Sequence, residues 1–212
     1  MSEFCLIFDL DGTLVESEGL CNQAFLELLP ELNEPVTALA RRYRGKKLSV
    51  IIADIELRIG RALPREFETR YRERVAELFD CGLQPVAGVE AMLQQTSGPR
   101  CVASSAPRSK IEKALRLTRL STYFGDRIFS SYEVGSWKPE PQLFLHAAAS
   151  MGFEPPHCVV VEDSEVGVEA ALSAGMRVLR YAPDSEQDIA SNCRSFSRME
   201  ELPGLLGNLS NV

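Results

Sequence analysis

The sequence predicts an α/β fold, a doubly wound parallel sheet with a helical subdomain inserted after its first strand. Three observations carry that expectation. Short apolar runs recur at Phe4–Phe8, Arg100–Ala103, Arg127–Phe129, Cys158–Val161 and Arg177–Leu179, without the clean alternation of a half-exposed strand. Strands buried on both faces of a parallel sheet read this way. From about residue 100 onward, helical patterns alternate with the apolar runs. Between the first two runs, by contrast, lie roughly 70 residues with no convincing strand, too many for a connecting loop.

The first strand ends in Asp9-Leu10-Asp11-Gly12-Thr13-Leu14-Val15. Helix-like patterns then cover Leu20–Leu29, Val36–Tyr43, Leu48–Ile59 and Pro64–Phe79. They define an expected helical subdomain over residues 16–84, with hinges at Val15–Glu18 and Leu83–Gly88. Residues 1–15 and 85–212 make up the rest of the sheet domain. There the helices expected are Arg108–Leu120, Pro141–Met151 with proline in its first turn, and Ser164–Ala174, stopped by Gly175. The tail from Pro183 is rich in Ser, Asn and Asp and carries no firm pattern.

Composition narrows the function classes. The 212 residues, 45% hydrophobic and 25% charged, are ordinary for a globular protein with a substantial core. Net charge is −7, so nothing global favours nucleic acid or an anionic membrane. No apolar run approaches the length of a membrane span, and the N-terminus lacks the basic region and cleavage site of a signal peptide. The six cysteines form no C-x-x-C pair or zinc spacing. Reduced thiols in a cytoplasmic protein, a monomer or weak homodimer, are the expectation.

The chemistry starts at the end of the first strand. Asp9 and Asp11, two residues apart, point the same way. Two carboxylates held together repel unless a cation sits between them, and Mg²⁺, which takes oxygen ligands, fits the place. One of them beside Mg²⁺ can act as a nucleophile. In a parallel sheet the strand C-termini share one edge, where ligands bind. The runs ending at Ser104-Ser105 and at Glu162-Asp163-Ser164 would therefore deliver those side chains to the same place. Lys138, at a helix start, could join them. This set suits phosphoryl transfer, where catalysis is positioning and electrostatic stabilisation.

Four stretches, DLDGTLVES, VASSA, SWKPEP and VVVEDSEVGVEAALSAGM, resemble in order and spacing the four motifs of the haloacid dehalogenase-like hydrolases. The resemblance reaches to about Tyr181. It implies a Rossmann-like core and Mg²⁺ as cofactor. Asp9 matches the nucleophile that becomes aspartyl-phosphate, and Asp11 the general acid/base. Ser104 and Lys138 match the phosphate binders, with Ser105 a rival for Ser104. The metal ligands implied are Asp9, the Asp11 backbone carbonyl and Asp163, with Glu162 direct or through water. The helical block resembles the cap of the phosphoglucomutase-like subgroup, whose closure excludes water. ELFDCGLQPVAG and the surroundings of SWKPEPQLFLHAA look closest to bacterial sugar-phosphate phosphatases, 6-phosphogluconate phosphatases among them. The expected substrate is a small phosphorylated sugar or sugar acid.

Each residue also has a plainer reading. Ser104 could be a helix N-cap, and Glu162 and Asp163 could cap the helix after them. Lys138 could be a surface lysine, but a helix start is a poor place for a cation without an anion nearby. In the run Arg41-Arg42-Tyr43-Arg44-Gly45-Lys46-Lys47, Arg41 and Arg42 read as a solvated face. Arg44 and Lys46, in a break between helices, are candidate substrate contacts, and Lys47 a weaker one. His146, His157 and Trp137 read as structural. The mutases of the subgroup carry a histidine ten residues after the second motif Asp, where this chain has Cys21, which lowers a mutase reading. Dehalogenases lack the second Asp, so Asp11 argues against that activity. Lys46 and Lys47 leave phosphonate hydrolysis through a Schiff base open. A phosphate-binding module without catalysis remains the alternative from another class.

Overall fold

The computed structural model describes residues 4–183 and 193–209. Six strands, β1 (Cys5–Phe8), β2 (Arg100–Ser104), β3 (Ile128–Ser130), β4 (Cys158–Glu162), β5 (Arg177–Tyr181) and β6 (Arg194–Phe196), form one sheet. Their order is β3-β2-β1-β4-β5-β6 and every pairing is parallel. The chain winds outward from β1 to one side through β2 and β3, then to the other through β4, β5 and β6. The switch in direction lies between β1 and β4, the position where such sheets open a crevice.

Alternation along each strand builds the two faces. Leu6, Phe8, Val102, Val159 and Val161 belong to one apolar cluster. It includes residues of α5 (Val89–Gln95), α6 (Arg108–Leu117) and α11 (Leu202–Leu209). Cys5, Ile7, Cys101, Ala103, Cys158 and Val160 form the other, with α9 (Gln142–Met151) and α10 (Glu165–Ser173). Three thiols therefore serve as small apolar side chains in the sheet. Phe8 is fully buried, and replacing it with Ala would cost about 3–5 kcal/mol.

Between β1 and β2 come α1 (Glu18–Leu28), α2 (Val36–Tyr43), α3 (Leu48–Ile59) and α4 (Phe67–Gly82). α1 packs on α2 and α4, with Phe25 stacked on Tyr71 at 4.1 Å between ring centroids. The two chain crossings run side by side: Glu16 N donates to Gln84 O (2.9 Å), and Val86 N to Leu14 O (3.0 Å). The segments expected as hinges, Val15–Glu18 and Leu83–Gly88, lie at these crossings.

Some expectations change. The helix expected over Arg108–Leu120 ends at Leu117, because Arg119 takes a left-handed backbone (φ 61°) and a short helix, α7 (Ser121–Phe124), follows. α4 begins at Phe67 rather than Pro64 and runs on to Gly82. Another short helix, α8 (Ser131–Val134), follows β3. α5 and β6 were not expected. The tail expectation falls partly on residues outside the described ranges. Among the described residues no helix is long and apolar enough to cross a membrane.

Candidate active site

Asp9 follows β1 at the switch point, and its N–H donates to Val161 O of β4 (3.0 Å). The adjacent strand end brings Glu162 and Asp163 beside it. One oxygen from each of Asp9, Glu162 and Asp163 lies within 4.8 Å of the others, and all three residues are buried. At that separation two unit charges repel by about 3.5 kcal/mol at an effective dielectric of ~20. Burial, then Glu162, pushes the Asp9 carboxyl up to about 7 against the pull of Lys138. Burial, with Glu162 and Asp9, also raises Asp163. A hard dication would relieve that strain, and an all-oxygen donor set is what Mg²⁺ takes, so these residues fit it.

Lys138 is the cation the fold itself supplies. Its Nζ donates to Asp9 Oδ1 and Glu162 Oε2, both at 2.5 Å. Burial disfavours its charge, but the two carboxylates more than offset this and raise its pKa. Glu162 is fully engaged: its Oε1 accepts from Asp163 N (3.2 Å), Ser164 N (3.0 Å) and Ser164 Oγ (2.8 Å). Ser164 Oγ also caps α10 by accepting from Gly167 N (3.2 Å). Asp163 is steadied by Thr13 Oγ1, which donates to its Oδ1 at 3.2 Å. Gly12, at φ 80°, permits this approach, since a Cβ there would sit 2.5 Å from Asp163 Oδ2.

Asp11 stands apart from this cluster. Ser17 Oγ donates to its Oδ1, and Lys110 Nζ reaches both oxygens at 2.8 and 2.9 Å. Burial would raise the Asp11 carboxyl, yet Lys110 and Ser17 hold it below its usual value. Two carboxylates of one motif thus meet opposite environments, Asp9 pushed up and Asp11 held down. On the neighbouring strand, the Ser104 hydroxyl accepts from Ala106 N (3.1 Å), which leaves its proton for a ligand oxygen.

Ser104, Ser105, Asp9, Asp11, Lys138 and Lys46 share one cavity of about 670 Å³ between the sheet edge and helices α1 to α4. Arg44 does not line it. Its guanidinium pairs instead with Glu18 (3.0 Å) and lies 3.6 Å from Asp163 Oδ2. Lys47 lines the cavity with its Nζ 3.4 Å from the centroid of the Trp137 ring. His146 packs on Phe129, and neither it nor His157 lines the cavity.

Sequence reasoning missed Lys110 and Ser17. The rule that singled out Lys138 applies equally to Lys110, a cation in the first turn of α6. Ser17 holds the N-cap position of α1 but makes no capping bond, because its hydroxyl serves Asp11.

The profile of the haloacid dehalogenase-like hydrolases matches residues 5–175. A 6-phosphogluconate phosphatase of Escherichia coli is 34% identical over 94% of this chain and 93% of its own. A phosphorylated carbohydrates phosphatase of Thermotoga maritima is 30% identical over 95% and 97%. Among solved structures, a haloacid dehalogenase-like protein of Agrobacterium tumefaciens superposes with a TM-score of 0.81 at 28% identity, covering 97% of this chain and 98% of that one. The chain belongs to the haloacid dehalogenase-like hydrolases and is an enzyme.

Proposed function

We propose that this hydrolase is a Mg²⁺-dependent phosphatase acting on a small sugar phosphate or phosphorylated sugar acid, 6-phosphogluconate foremost, in the cytoplasm. The observation that carries the reading is the placement of the two motif carboxylates. Asp9 sits among buried acids and Lys138, facing the place of a phosphoryl group. Asp11 sits beside it, oriented by Ser17 and Lys110. The identity to two sugar-phosphate phosphatases over nearly the whole chain supports the substrate class. The thiols of Cys5, Cys21, Cys81, Cys101 and Cys158 are free of disulfides, which suits a reducing compartment.

In this mechanism an Asp9 oxygen attacks phosphorus and the bond from phosphorus to the ester oxygen breaks. Asp11, held ionised in the free protein by Lys110 and Ser17, takes up a proton as the substrate phosphate binds and hands it to that oxygen as it leaves. Water then attacks the aspartyl-phosphate, Asp11 takes its proton, and the Asp9–phosphorus bond breaks to release phosphate. Lys138 and the Ser104 hydroxyl hold phosphoryl oxygens, where charge grows in the transition state. When bound by Asp9, Asp163 and the Asp11 carbonyl, with Glu162 behind them, Mg²⁺ supplies further charge neutralisation at the phosphoryl group. Residues 16–84 act as the cap: α1 to α4 roof the cavity and keep bulk water from the intermediate.

Water, not a second sugar, is the final acceptor in this reading. Cys21 lines the cavity near Asp11 and Lys110, and burial raises its thiol, so it stays neutral and offers no imidazole-like relay. The test is phosphate release from a panel of phosphorylated sugars, hexitols and sugar acids, with and without Mg²⁺, by the wild type and Asp9→Asn. Mg²⁺-dependent release, lost in a folded Asp9→Asn, is expected. Release from none of the panel, or retained turnover in Asp9→Asn, overturns the reading.

A further inference from the structure

Lys110 has work beyond Asp11. Its ammonium carries three donors. Two are aimed at the oxygens of Asp11, at 2.8 and 2.9 Å. Near the third, among the described residues, is the Cys21 thiol, a weak acceptor that Tyr71 also engages. Ser17 independently fixes Asp11 through Oδ1, so the carboxylate does not need Lys110 to orient it. The helix gives no reason for a cation either, since the first turn of α6 disfavours positive charge.

The position of the amine says what the third donor meets. Lys110 lines the same cavity as Asp11, and its side chain is 24% exposed there. The nearby wall is mostly apolar: Phe25, Val75 and Phe79 line the cavity, with the Phe79 ring centroid 5.7 Å from the amine, and the Tyr71 phenol on it is engaged by Cys21. Glu68, a carboxylate on this wall, is taken by Arg72 at 2.6 Å. An ester oxygen within hydrogen-bond reach of Asp11, about 2.6–3.2 Å, lies within about 6 Å of the amine. The atoms that come next to Lys110 are therefore those of the first carbons of the leaving group.

We infer that Lys110 is a specificity-determining residue that donates its third hydrogen bond to a hydroxyl oxygen near the ester carbon of the substrate. It bridges Asp11 and the leaving group, and selects phosphorylated polyols over phosphate esters of plain alkyl chains. A buried donor left unpaired by an alkyl chain is costly, so a site of this kind rejects the analogue that lacks the oxygen. The inference rests on the phosphatase reading above and deepens it by naming what part of the substrate is read.

Three esters of one chain length test it: n-hexyl phosphate, glucitol 6-phosphate and 6-phosphogluconate. The readout is kcat/KM for wild type, Lys110→Met and Lys110→Arg, with Tm as the folding control. In Lys110→Met the ratio of glucitol 6-phosphate to hexyl phosphate falls at least about tenfold, a loss of one charged hydrogen bond. The 6-phosphogluconate ratio falls equally, and Lys110→Arg restores part of both. If Lys110→Met lowers all three esters by one factor, or none, Lys110 only supports Asp11 and the inference fails. If 6-phosphogluconate alone falls, the amine reads the carboxylate, and the hydroxyl assignment is overturned. A wild type that prefers neither hydroxylated ester to hexyl phosphate overturns the sugar-phosphate reading itself, and the inference with it.

Discussion

Lys138 Nζ lies 2.5 Å from Glu162 Oε2, and no other hydrogen bond reaches that oxygen among the described residues. The other oxygen is filled by three donors from the start of α10. In the proposed mechanism Glu162 acts mainly through Lys138, and Asp163, which Lys138 does not bond, mainly through the metal. Glu162→Gln should lower kcat about 10–100-fold by loosening Lys138, the usual scale for a supporting partner. Asp163→Asn should instead shift the Mg²⁺ concentration for half-maximal rate upward by more than Glu162→Gln does. Titrating activity against Mg²⁺ in both variants checks this. Identical Mg²⁺ curves would place both residues in the same role.

Metal and pH are linked through Asp9. Its folded carboxyl titrates near 7, against 3.8 when unfolded, so the fold holds this proton more tightly than the unfolded chain. Stability from this group is fully present below 3.8 and is lost as pH rises through 7. Asp163, also raised, acts in the same direction. Asp11, held low, does the opposite: its contribution is fully present above 3.8 and is lost only as pH falls below that, so it does not change between pH 5.5 and 8. The metal-free protein should therefore melt lower at pH 8 than at pH 5.5. Mg²⁺ competes with those protons and should raise Tm by roughly 5 °C more at pH 8 than at pH 5.5. Thermal melts with Mg²⁺ and with EDTA at the two pH values measure it, and an equal shift at both would uncouple Asp9 from the cation.

The strands that carry the site were legible because each is an apolar run buried on both faces and followed by polar residues. β6 was not, since Arg194–Phe196 is three residues long with one buried side chain. The end of α6 was hidden by Arg119, whose left-handed backbone no local residue type announces. Asp9, Asp11, Ser104, Lys138 and Asp163 were readable because the sheet edge collects them from strand ends and adjoining loops. Arg44 was placed near the site for the right reason, a break between helices. Its partner depends on how that loop docks: it reaches Glu18 and Asp163 rather than the cavity. Lys110 and Ser17 lie where two segments distant in sequence meet, and periodicity carries no record of such a meeting.

Gly45 marks where the helical segment touches the catalytic loop. Its backbone is left-handed at φ 71°, and a Cβ there would come 2.7 Å from Ser164 Cβ and Oγ and Val166 Cγ2. Gly60, at φ 70°, has the same backbone at the end of α3, with nothing within 4 Å of the Cβ position. Alanine at either adds backbone strain of about 1–3 kcal/mol. Only Gly45→Ala should also lower kcat/KM, by at least about tenfold, because the loop cannot seat on Ser164. Measuring Tm and kcat/KM for both variants separates the effects. Matching activity losses would mean that strain alone is responsible.

Lys46 follows on the same loop and faces the cavity, and no carboxylate pairs with its side chain among the described residues. A cation left unpaired beside a substrate cavity is suited to an anionic or hydroxyl group on the far part of the substrate. In the proposed mechanism the phosphoryl end is already served by Lys138 and Ser104. Lys46→Ala should therefore raise KM for 6-phosphogluconate about 10–100-fold, the scale of one hydrogen bond to a charged group. For p-nitrophenyl phosphate, which carries no such group, KM should rise less than about threefold, and kcat should fall little for either. Steady-state kinetics on the two esters decide it: equal rises in KM would assign Lys46 to the shape of the loop rather than to the substrate.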